Sequence, residues 1–142
     1  MKTNLNNNIQ ESYCNFEVSK LLKEKGFIPA KYFGYITSFY HPKTKNILRY
    51  GMTGKSRIEN LIYAVPQHIA IEWIRVNFDF HINTFYSYND KKQYGWAISK
   101  INIIEENDYS PWISEFEGDK HFWDTPQEAA EAGIEYVLTN LI

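Results

Sequence analysis

The chain has 142 residues, a formal net charge of −2, one cysteine, and an aromatic load of 4 Trp, 11 Tyr and 9 Phe. That length suits one domain with a sustained core, and the acidic balance argues against a dedicated binder of duplex nucleic acid, whose affinity comes largely from neutralising phosphates. Cys14 stands alone, which excludes an intrachain disulfide and a cysteine-based zinc cluster.

Residues 1–12 are polar and rich in Asn, and read as a flexible tail without the apolar run of a secretion signal. The remainder, 13–142, reads as a single α+β domain because no linker-like stretch divides it. No segment is long and apolar enough for a membrane span, and the single thiol fits a reducing cytoplasm. Asn15 is a natural N-cap for a helix over 16–25, with Val18, Leu21 and Leu22 inward. Gly26 suits the left-handed residue that closes it, Phe27 folds back on the last turn, and Pro29 stops it. Strands are predicted over 32–40 and 46–50, joined by the turn-like His41-Pro-Lys-Thr-Lys45. Residues 51–60 read as a polar loop and 61–64 as a segment crossing the core.

The most legible stretch follows, over 65–88. Pro66 suits the first helical position. Ile69, Ala70, Ile71, Trp73, Ile74 and Val76 crowd the next turns, which predicts a buried helix. At Asn77 the period changes to two: Phe78, Phe80, Ile82, Thr84, Tyr86 and Tyr88 alternate with polar residues, as in a half-buried strand, with Phe85 on the other face. Trp73, Ile74, Phe78, Phe80 and Ile82 are the expected core.

A turn over 89–93 leads into a strand over 94–101 with Tyr94, Trp96 and Ile98 on one face. Residues 112–116 and 121–123 suggest a short third hairpin closed by Glu117-Gly-Asp-Lys120. The last helix has the strongest start signals, with Thr125 as N-cap, Pro126 at the first position and Glu128 completing a capping box. Its inward stripe is Ala130, Ile134, Val137, Leu138 and Leu141. Pro66-Gln67-x-x-Ala70-x-x-x-Ile74 and Pro126-Gln127-x-x-Ala130-x-x-x-Ile134 repeat one pattern, read as two helices with similar start signals. The fold class is therefore α+β: an antiparallel sheet of hairpins with three helices packed on it, in the order α-ββ-α-ββ-(ββ)-α.

Candidate chemistry gathers at the first hairpin. Lys43, Lys45, Arg49, Lys55 and Arg57 cluster there against Glu59 alone, with Tyr35, Tyr40 and Tyr50 nearby. Interleaved cations and aromatic rings suit phosphate contact with base stacking. Tyr35, Arg49, Tyr50, Lys55 and Arg57 are accordingly the predicted binding residues, for a small anionic ligand or an acidic partner surface. The simpler reading is a solvated hairpin tip. Gly51-Met-Thr-Gly54-Lys55-Ser56 lacks the four-residue spacing between glycines that a P-loop needs. His41, His68, His81 and His121 have no metal-ligand spacing, so no metal or cofactor is expected, and Cys14 has no partner that would make it a nucleophile. Glu115, Glu117, Asp119 and Asp124 read as a charged hairpin end.

Two resemblances bear on function. Gly34-Tyr35-Ile36, then Tyr50-Gly51-Met52-Thr53 and Arg57, resemble the hairpin of GIY-YIG nucleases, which implies metal-dependent phosphodiester cleavage through Tyr35, Arg57 and Glu72. Arg49 stands where that motif has its first Tyr of the second half, and Glu72 falls on the helix expected to be buried. Separately, residues 12–27, 64–75 with Phe80-His-Ile82, and 123–130 with Asn140-Leu-Ile142 resemble a family of small uncharacterised proteins from bacteriophages and prophages of Bacteroides-related gut bacteria. The matching positions are mostly helix caps and core residues. This resemblance implies a setting, a phage-encoded cytoplasmic accessory protein or a minor virion component; read as a binding module, such a protein would hold a host protein or a small nucleotide, for example as an anti-defence factor. The alternatives are the nuclease and a minor virion component.

Overall fold

The structure is a computed structural model and describes residues 12–32, 38–49, 61–87, 93–100, 115–117 and 122–142. At its base, two segments that each precede a helix are laced together. Tyr13 and Pro66 form an antiparallel bridge. Around it, Cys14 N donates to the Val65 carbonyl at 2.8 Å and Gln67 N donates to the Ser12 carbonyl at 2.8 Å. Ser12, assigned by sequence to the tail, is thus held; residues 1–11 lie outside the described ones.

From this base, α1 runs over Phe16–Glu24, capped as predicted by the Asn15 side chain, which accepts from Val18 N. Gly26 takes the left-handed conformation (φ 98°) expected at the helix end. A single 3-10 turn follows over Pro29–Tyr32, so Tyr32 is not a strand residue. The first hairpin pairs β1 (Ser38–Tyr40) with β2 (Ile47–Arg49), Phe39 opposite Leu48. Its turn is closed by His41, whose Nδ1 accepts from Lys43 N and Thr44 N at 3.1 Å each. The segment read as crossing the core forms β3 (Ile62–Tyr63), paired antiparallel with β1.

Helix α2 covers Gln67–Phe78, with Pro66 at the N-cap position, so the helix starts one residue later than predicted. It is not buried all round. Ile69, Ala70, Trp73 and Ile74 form the inward stripe. Val76, one of the apolar residues behind the reading of a buried helix, is 63% exposed. It stands one turn beyond Glu72 on the face where Glu72 and Arg75 pair through two hydrogen bonds. Asp79, left-handed at φ 63°, turns the chain directly into β4 (Phe80–Tyr86), which places Phe78 at the helix end and not on the strand. Phe80 and Ile82 are buried, while Asn83 to Tyr86 are exposed.

Strand β4 pairs along its whole length with β5 (Tyr94–Lys100), Ile82 opposite Ile98. On the other edge of β5 lies β6 (Glu115–Glu117), Phe116 opposite Ile98. Trp123 bridges Tyr94 on that strand too. The described parts of the expected third hairpin therefore each pair with β5, and 118–121 lie outside the described residues. The strands among the described residues divide into two three-stranded antiparallel sheets, ordered β2-β1-β3 and β4-β5-β6.

Helix α3 (Pro126–Tyr136) starts as predicted, the Thr125 side chain accepting from Glu128 N, and ends in a π-type turn over Val137–Leu141. It crosses the second sheet at Gly133, where a Cβ would sit 3.1 Å from Ile82 Cγ2 and 3.3 Å from Trp96 Cβ, so any larger residue requires the sheet side chains to shift by a few tenths of an ångström. One core joins Val18 and Leu22 of α1, Trp73 and Ile74 of α2, Ile82 and Ile98 of the sheet, and Ile134 with Leu138 at the far end. Three α-helices and two antiparallel sheets among the described residues make the fold α+β, as the sequence implies. No helix among the described residues is long and apolar enough to cross a membrane.

Candidate functional site

Of the five predicted binding residues, Tyr35, Tyr50, Lys55 and Arg57 lie outside the described residues, as do Glu59 and the 51–56 glycine loop. Arg49 ends β2, with Ser38 as its backbone partner across the hairpin. The described cations of the same cluster are partly engaged by α1. Lys45, left-handed at φ 56°, brings its Nζ 3.0 Å from Glu17 Oε1 and 4.7 Å from the Phe16 ring centroid. That cation–π contact and ion pair fold the hairpin tip back on the helix.

The chemistry borrowed from other motifs also changes. Glu72 is exposed, and its pairing with Arg75 holds its carboxyl below the usual range. His41 serves its turn, and His121 lies outside the described residues. Cys14 is fully buried, and burial first, then the Glu131 charge, push its thiol well above the ordinary value. A thiol in that state is a packing residue. No group of three or more His, Cys, Asp or Glu among the described residues could hold a metal.

The structure instead brings together a set that the sequence did not flag. Glu131 projects from α3 into the junction where all three helices begin. Its Oε1 accepts from Asn15 N at 2.6 Å, at the N-cap of α1. Its Oε2 accepts at 2.9 Å from Nε2 of Gln67, the first residue of α2. The same Nε2 donates to the Gln127 carbonyl in the first turn of α3, also at 2.9 Å. A carboxylate placed against N–H groups at a helix start is electrostatically favoured. Burial nonetheless dominates and raises the Glu131 pKa; its two hydrogen bonds lower it, and the Glu135 charge adds to the rise.

Around Glu131 opens a cleft of about 540 Å³. Tyr13 and Trp123 contribute aromatic walls, Ala132 a small apolar patch, and Glu128 and Glu135 carboxylates on either side of Glu131. Both aromatic residues sit on backbone bridges, Tyr13 to Pro66 and Trp123 to Tyr94, which fix where the rings start. Glu128 and Glu135 are exposed, and among the described residues neither has an ion pair and no Lys or Arg lines the cleft. The helix-start N–H groups do not reverse this balance, because the Asn15 and Thr125 side chains and Glu131 already occupy several of them. The arrangement can hold a cation: a guanidinium or ammonium gains from both carboxylates and aromatic faces. The repeated Pro-Gln pattern was the one sequence signal for this place, since Gln67 and Gln127 meet here.

No family model, curated protein or solved structure matches the chain.

Proposed function

We propose that this is an accessory binding protein, phage-encoded as the sequence resemblance implies, which acts in the host cytoplasm by holding a basic segment of a host protein in the cleft at the three helix starts. The observation that carries the reading is the cleft itself. Two aromatic residues and two unpaired glutamates share one concavity with no basic residue among its described lining. An Arg or Lys side chain suits it better than a nucleotide, whose phosphates would meet Glu128, Glu131 and Glu135. The basic hairpin then serves as a neighbouring surface and not as the principal seat.

Glu135→Lys tests the proposal, because Glu135 is exposed and distant from the helix start that Glu128 stabilises. The immobilised wild-type chain should retain a host protein identifiable by mass spectrometry, with retention weakening as salt is raised. The variant should lose that protein while melting at the same temperature. Equal retention by the two chains would place the partner elsewhere.

A further inference from the structure

Toward the other end of α1 lies a second hollow, of about 260 Å³, between that helix and β3. Its character differs from the acidic cleft. Phe27, Leu61 and Val65 are buried around it, and Ile28 at its side is 49% exposed, an apolar side chain left in water beside apolar walls. The one charged group lining it among the described residues is Lys23. Lys23 Nζ lies 3.3 Å from the Leu61 carbonyl oxygen, and no carboxylate among the described residues pairs with it. An ammonium has three donors, so two remain for a ligand. The Ser19 hydroxyl, also lining the hollow, is already committed, donating to the Cys14 carbonyl at 3.2 Å and accepting from Val65 N at 3.5 Å.

We propose that this hollow binds a small amphiphilic carboxylate, with its apolar tail among Phe27, Leu61 and Val65 and its anionic head on Lys23 Nζ. The reasoning is charge and polarity complementarity: apolar walls and one cation without a carboxylate partner among the described residues. Size narrows the class. The 260 Å³ corresponds to roughly nine water volumes at about 30 Å³ each, enough for a short acyl chain or one aromatic ring and too small to enclose a long-chain fatty acid. The site is independent of the acidic cleft and stands or falls without it.

The test uses the full chain, titrated with butanoate, hexanoate and octanoate below micellar concentrations, and with octanol as the neutral control. Backbone amide shifts at Lys23, Phe27, Ile28 and Val65 are the readout. Binding should saturate, stay confined to those amides, and tighten about fourfold for each added methylene until the hollow is full. Octanoate should bind more tightly than octanol. Lys23→Gln should abolish that preference, and Ile28→Glu should weaken octanoate while sparing octanol; both side chains are exposed, so the fold should persist. Octanol binding as well as octanoate to the wild type, shifts scattered over the protein, or no saturable shift at millimolar ligand would each overturn the proposal.

Discussion

Trp73→Ala removes the largest side chain of the inward stripe of α2. The indole is 7% exposed and meets two rings edge-on, Phe27 with centroids 5.5 Å apart and Phe78 at 5.2 Å. Truncating a buried Trp costs about 3–5 kcal/mol through lost transfer energy and the cavity left behind. Each edge-to-face pair contributes about 0.5–1.5 kcal/mol beyond area, which favours the upper half of that range. A chain of 142 residues unfolds with an entropy of about 0.3 kcal/mol/K, so the melting temperature should fall by about 13–17 °C. Differential scanning calorimetry reads this directly. Val76→Ala on the same helix is the control, because a residue 63% exposed should shift stability by less than about 0.5 kcal/mol. A Trp73→Ala shift below about 4 °C, or a Val76→Ala shift of equal size, would refute the assignment of the inward face.

Glu131 should give stability a distinctive pH dependence. Because the folded chain binds this proton more tightly than the unfolded chain, Glu131 favours folding below the ordinary carboxylate range, and that contribution is lost as pH rises through its elevated folded pKa. The denaturant midpoint of the wild type relative to Glu131→Gln should therefore decline with rising pH in that window, and a rise would contradict the burial that sets the shift. Thr125→Ala and Asn15→Ala should each cost about 1 kcal/mol in urea denaturation, since each removes a side-chain acceptor at a helix start. Gly133→Ala should destabilise, because the closeness of Ile82 and Trp96 outweighs a helix-propensity gain of about 1 kcal/mol; a higher melting temperature would show that the sheet yields. Cys14 should react slowly with a thiol reagent at neutral pH, given its burial and raised pKa, and rapid labelling would show that the base of the fold opens readily.

What the sequence revealed is tied to local signals. Helix starts at Asn15 and Thr125, the left-handed Gly26 and the alternation through Phe80 and Ile82 depend on residues within a few positions of one another, so they were readable. Val76 misled because apolar crowding on α2 does not say which side faces the core, and only the pairing of Glu72 with Arg75 marks the outer face. Lys45 looked like part of a free basic cluster, yet Glu17, well before it in the chain, pairs with it. Apart from the repeated Pro-Gln pattern, the Glu131 junction was hidden for the same reason. Its partners, Asn15 and Gln67, come from two other helices, and a lone Glu in an amphipathic helix looks like any solvated residue.

The lacing of Ser12–Cys14 to Val65–Gln67 sets how the molecule comes apart. Helices α1 and α2 share one knot at their starts, so neither can fray from that end alone. The amides of Cys14 and Gln67 should exchange with deuterium only when the whole molecule opens, alongside those of the buried core. Among the described residues, the β1–β2 hairpin is tied to the rest of the molecule by its pairing with β3, by the Tyr40 hydroxyl donating to the Cys14 carbonyl, by the edge contact of Tyr40 with Phe16, and by the contact of Lys45 with Glu17. The hairpin amides should therefore exchange sooner than those of Cys14 and Gln67.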